Sequence, residues 1–112
     1  MLETGVNLCL GTDSLASVNS LSMFDEMAFV SKSFPLAAPE RIFQMATLGG
    51  AAALGLKNRM GTLFPGKQAR LAYVDIQASK TSQVVEALVN FSEPDETSCT
   101  LIFQSNPETI PQ

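Results

Sequence analysis

Val6-Asn7-Leu8-Cys9-Leu10-Gly11-Thr12-Asp13-Ser14 is the stretch on which the fold turns. Its apolar run, bounded by Gly5 and Gly11, predicts a short buried strand. The run is nearly continuous rather than cleanly alternating, which favours a parallel strand covered on both faces. Asp13 follows at once. A carboxylate at the end of such a strand is placed to give an active site a metal ligand or a proton acceptor. Taken alone, Asp beside Ser after a strand is also a common Asx turn or helix cap. Gly11-Thr12-Asp13-Ser14 therefore carries a chemical and a structural reading at this point.

Downstream, residues 12–19 form a polar loop and a helix starts near Ser20 or Ser22. Ser22 with Asp25 three residues on is a capping pair close to the Ser-x-x-Glu form. Leu21, Phe24, Met27 and Ala28 share one face, and Met23 and Val30 widen the apolar arc, so this helix packs on more than one side. Phe34-Pro35 ends it. Pro39 suits the first turn of a second helix and Glu40 its positive end. Ile42, Met45, Ala46 and Ala53 mark the face of that helix, with Gly55 as its C′ residue. Gly49 and Gly50 lie inside it, each costing about 1 kcal/mol relative to alanine. Close approach of a neighbouring backbone is the expected compensation.

Pro65-Gly66 has the order a type II turn requires. Residues 71–76 read as a strand, 83–89 as a short helix, 93–96 as an acidic loop, and 100–103 as a last strand. The end of the chain, with Pro107 and Pro111, reads as a frayed tail. Met23, Met27 and Met45 read as core packing rather than as a ligand groove.

Composition narrows the function. The 112 residues suit one domain at most, with a modest core. The formal charge of −4 and the lack of a basic patch argue against nucleic acid or an anionic membrane as partner. No apolar run reaches the length of a membrane span, and no secretory signal opens the chain, so the cytoplasm is the expected compartment. Cys9 and Cys99 do not make a disulfide framework, and Cys9 reads as a free thiol acting as a small hydrophobe in the strand. The chain has no histidine. A Ser-His-Asp triad, a Cys-His pair and an HExxH zinc helix are therefore excluded within it. If Asp13 belongs to a metal site, the other ligands lie elsewhere.

Three blocks together carry a resemblance. The first runs from Gly5 through Asp13 and Ser14 to Leu15-Ala16-Ser17, followed by Leu21, Phe24, Asp25, Glu26 and Met27. The second is Ala46-Thr47-Leu48-Gly49-Gly50-Ala51 with Ala53-Leu54-Gly55-Leu56. The third is Gly61-Thr62-Leu63, then Pro65-Gly66-Lys67 and Ala69. In order and spacing they resemble the C-terminal end of the amidohydrolase superfamily, in its cytosine-deaminase, chlorohydrolase and aminodeoxyfutalosine-deaminase branch. Gly49 departs from that pattern, standing where many relatives have Asn. Arg70 departs too, standing where Asp commonly follows Ala, and that position belongs to a turn rather than to the chemistry.

The resemblance implies an α/β fragment: the last strand and helices of a TIM (β/α)8 barrel plus part of a small flanking β-sandwich. Residues 1–60 would be the end of the barrel, 61–104 a partial sandwich segment with a short helix, and 105–112 the tail. Strand eight would end at Asp13, at the C-terminal face where barrel active sites lie. By the same resemblance Asp13 is a metal ligand and proton shuttle, next to a water activated by a divalent metal, zinc or iron. Ser14 and Ser17 share its loop and are candidates to face substrate, or to cap the turn. The implied reaction is hydrolysis of a non-peptide C–N bond in a small amino-heterocycle. A barrel needs about 250 residues, so the isolated chain is expected to bind no metal tightly and to be inactive. The alternative is a non-catalytic structural or interaction module. Its exposed apolar surface would self-associate, or complete a barrel with another chain.

Overall fold

Ser22 sets the start of the first helix, α1 (Met23–Ser33), by accepting the Phe24 backbone N–H on its hydroxyl at 3.2 Å. That satisfies one of the donors a helix leaves free in its first turn. Asp25 and Glu26 in the same turn suit its positive end, and Lys32 the negative one. The helix stops at Phe34, before Pro35. The computed structural model describes residues 5–12 and 22–91, together with the backbone of 99–104. The acidic loop at 93–96 and the tail lie outside the described residues.

Pro39 opens α2 (Pro39–Ala46) in the first-turn position, where its missing N–H costs nothing. The predicted continuous second helix is divided. It breaks at Thr47 (φ −123°, ψ −91°), and a short α3 (Leu48–Ala53) follows. Thr47 turns its hydroxyl back onto the Phe43 carbonyl at 2.8 Å. The two glycines beyond it do little to hold a helix together. Leu54 and Gly55 then end α3 as predicted. Gly55 has φ +73°, its N–H meets the Ala52 carbonyl, and the Leu56 N–H meets the Ala51 carbonyl at 2.7 Å. Those two bonds are the pair that defines a Schellman cap.

Residues 54–69 form a loop folded on itself. The Arg59 and Met60 N–H groups both bond the Leu56 carbonyl, and Gln68 N–H closes onto Arg59 at 2.7 Å. The Pro65-Gly66 turn forms as expected, with Gly66 at φ +92° and Lys67 N–H donating to the Phe64 carbonyl. Gly61 (φ +102°) fits because a Cβ there would lie 2.9 Å from the Ala51 Cβ.

The strand β1 (Arg70–Val74), the helix α4 (Thr81–Val89) and the strand β2 (Cys99–Gln104) complete the order. The strands pair antiparallel, Arg70 opposite Gln104 and Val74 opposite Cys99, with one irregularity between Leu71 and Ala72. Gln83 steadies the start of α4 by accepting from the backbone and hydroxyl of Ser79. The core sits where α1, α2 and α4 meet. Met27, Ile42 and Val89 are buried at its centre, with Leu10, Phe24, Phe43 and Val85 packed around them. The Phe24 and Phe91 rings close one side, edge to face at 5.2 Å. Met27 is therefore a core residue, as its spacing predicted. Ala53, expected on the buried face, is exposed because the break at Thr47 redirects α3.

Candidate active site

Asp13, Ser14 and Ser17 lie outside the described residues. The residues immediately before them, 5–12, are described. Residues 6–10 enter no sheet among the described residues; β1 and β2 pair only with each other. The predicted strand is thus not formed among the described residues, because a parallel strand needs a ladder partner on at least one edge and no described residues supply one. For the same reason Val6 and Cys9 are exposed rather than buried, and Cys9 is a free thiol in contact with solvent.

What holds the segment is the break between α2 and α3. A helix leaves its last four carbonyls without internal partners. In α2, Phe43 receives the Thr47 hydroxyl, Gln44 the Thr47 N–H, and Met45 the Leu10 N–H at 2.9 Å. Leu10 therefore serves as part of the cap of α2 while its side chain packs on the core. Three residues earlier, the Asn7 side-chain amide donates to the Gly49 carbonyl at 3.1 Å. Between these two bonds the chain passes so near α3 that a Cβ on residue 49 would stand 2.6 Å from the Leu8 carbonyl oxygen. The expected close approach at the glycine pair is thus found at Gly49. Gly50 makes no such approach: its nearest atom would be the Met45 carbonyl oxygen at 4.0 Å.

Gly11 is exposed and Thr12 half-buried, so the chain emerges from this anchorage directly before Asp13. A depression of about 400 Å³ lies at the other end of the segment, between Gly5–Leu8 and the α2–α3 helices. Its polar groups include Asn7, Arg41, Gln44 and Lys57. Its lining takes in Gly5 to Leu8 and does not reach Thr12.

The donor set does not make a metal centre within these residues. Histidine is absent from the sequence, and among the described residues no three Cys, Asp or Glu side chains converge on one point. A catalytic zinc site takes about three protein ligands, which Asp13 by itself does not supply. Sequence reasoning missed Asn7, Leu10 and Thr47 as the residues that hold segment 5–12 against the α2–α3 break. A threonine immediately before Leu-Gly-Gly was the available sign of the break, but nothing local marks Asn7 or Leu10. No helix among the described residues is long and apolar enough to cross a membrane.

Comparison with known proteins bears on the same segment. The profile of the amidohydrolase family matches residues 1–104. A 5-methylthioadenosine/S-adenosylhomocysteine deaminase from Syntrophobacter fumaroxidans is 45% identical over 84 residues, covering 69% of this chain and 19% of that protein. The protein of the same name from Teredinibacter turnerae is 40% identical over 83 residues, covering 68% of this chain and 19% of that protein. A 5'-deoxyadenosine deaminase from Methanosarcina acetivorans is 44% identical over 84 residues, again covering 69% and 19%. The chain thus spans about a fifth of the length of the curated relatives it matches. No solved structure matches it significantly. With the family profile covering nearly the whole chain, and with the sequence blocks around Asp13, Gly49 and Pro65-Gly66 in the family's order, the chain belongs to the amidohydrolase family.

Proposed function

We propose that this chain is the C-terminal part of a hydrolytic deaminase acting on an adenosine modified at its 5′ position. The observation that carries the proposal is its 45% identity to a deaminase named for 5-methylthioadenosine and S-adenosylhomocysteine, over a segment that includes most of this chain. The names of the relatives share one chemistry: an aminopurine nucleoside altered at the 5′ carbon.

In this reading the family's barrel fold includes residues 1–60 as its last strand and closing helices, and residues 61–104 belong to the flanking sandwich. Residues 6–10 pair as strand eight once neighbouring strands are present. Asp13 is the working carboxylate. The oxygen of a water molecule bonds to the purine carbon that bears the amino group. Asp13 takes a proton from that water and delivers it to the nitrogen, the C–N bond breaks, and ammonia leaves. Asp13 is also one ligand of a divalent cation, zinc or iron, whose remaining ligands come from polypeptide outside these residues. Ser14 and Ser17 lie in the same loop, within reach of substrate. By itself the 112-residue chain has no deaminase activity, because it lacks those ligands.

Segment exchange tests the proposal. Residues 1–104 replace the matching segment of the Syntrophobacter fumaroxidans deaminase, and the purified chimera is assayed for ammonia release from 5-methylthioadenosine. The proposal predicts turnover. A folded, metal-loaded chimera without turnover would contradict it.

A further inference from the structure

Asn7 breaks the local pattern of its segment. Residues 6–10 read Val-Asn-Leu-Cys-Leu, and Asn7 carries their only polar side chain. Asn is depleted in strands, where Val and Ile are favoured. A residue that breaks a local preference needs a gain elsewhere, and here the gain is specific. The Asn7 amide donates to the Gly49 carbonyl at 3.1 Å, a bond between residues 42 apart in sequence. The Asn7 Oδ1 would lie 3.6 Å from a Cβ on residue 49.

The other contacts of the segment do not distinguish one residue from the next. The bond to the Met45 carbonyl uses the backbone N–H of Leu10, and the approach to Gly49 uses the backbone carbonyl of Leu8. Every residue from 6 to 11 carries both groups. Suppose the segment slides by one residue, so that Val6 stands in the place of Asn7. Cys9 then takes the place of Leu10 on the core, one apolar side chain for another. The Cys9 N–H can meet Met45, and the Asn7 carbonyl can face Gly49. Only the side-chain bond is lost, because Val6 has no donor beyond its backbone. Alternation of apolar and polar side chains is what ordinarily specifies register, and a continuous apolar run lacks it. A slip of one residue turns every side chain of a strand to its other face.

We infer that Asn7 is a positioning residue: its bond to Gly49 fixes the register of residues 6–10 on α2 and α3, and with it the face of the strand from which Asp13 works. The consequence for Asp13 rests on the deaminase reading, in which residues 6–10 are strand eight. A single Asn in an apolar seam sets register in coiled coils by the same logic.

Asn7→Val gives the test, because Val suits a strand and removes the donor. The first readout needs no activity. In the isotope-labelled 112-residue chain, residues 6–11 of the wild type give one set of amide NMR signals, and those of Asn7→Val give two or more. Circular dichroism finds both proteins folded. A single set at the wild-type positions in the variant overturns the inference. So does a variant that loses its fold, since Asn7 would then carry stability and not register. The second readout uses the chimera built with residues 1–104. There Asn7→Val lowers kcat for 5-methylthioadenosine on the order of a hundredfold, the scale of a small misplacement of a reacting group, with KM within about threefold. The thermal midpoint stays close to that of the parent chimera. A kcat within a few-fold of the parent's, or a fall that only tracks loss of folded protein, overturns the inference and leaves the deaminase reading intact. A parent chimera without turnover contradicts that reading instead, and the amide signals of the 112-residue chain then decide the register.

Discussion

The carbonyl oxygen of Leu8 lies against the bare Cα of Gly49, where a Cβ would be only 2.6 Å away. Both partners of that contact are backbone, so neither can rotate aside.

Gly49 and Gly50 should therefore respond oppositely to alanine. Gly49→Ala forces the segment off α3 and costs about 1–3 kcal/mol, as overpacking does. Gly50→Ala meets nothing nearer than 4.0 Å and stabilises by roughly 0.5–1 kcal/mol through helix propensity. Urea denaturation of the two variants decides this. Equal effects would show that the approach of Leu8 does not constrain position 49.

Asn7→Ala removes the amide that donates to the Gly49 carbonyl at 3.1 Å. The bond is half-buried, and its loss should cost about 0.5–1.5 kcal/mol. Amide hydrogen exchange should quicken at Leu10 and less so in α4. Unchanged protection at Leu10 would separate the two anchors.

Ile42 is fully buried in a core whose centre is itself with Met27 and Val89. Ile42→Ala should cost about 2–5 kcal/mol, a large part of the stability of a chain this size. Thermal melts followed by circular dichroism should show a lower and broader transition.

Zinc binding by the isolated chain is expected to be weak, since a single carboxylate does not replace a set of about three ligands. Isothermal calorimetry with zinc should show no stoichiometric tight site. A site of micromolar affinity or better that disappears in Asp13→Asn would show that the chain assembles a centre by itself.

The features legible in the sequence were those set by a few neighbouring residues. Ser22 starts α1, Pro39 starts α2, Gly55 ends α3, and Pro65-Gly66 makes its turn, because each restricts its own backbone or bonds the next turn. The family was legible too, through three spaced blocks rather than any one of them. What depended on distant groups was not. Whether residues 6–10 form a strand rests on a partner for their backbone, and the exposure of Cys9 follows from the lack of one among the described residues. The break at Thr47 combines a side-chain bond to Phe43 with the arrival of Leu10 at Met45, and the second half comes from 35 residues away. Asp13 was marked only by its neighbours in sequence, and it lies outside the described residues.

The central claim is that Asp13 moves the proton in a deamination reaction. In the chimera built with residues 1–104, Asp13→Asn should lower kcat by about 10²–10⁴-fold, with the protein still folded. Asn keeps the size and the turn-forming ability of Asp, so a role confined to holding the turn would leave kcat within a few-fold of its starting value. That outcome would contradict the account.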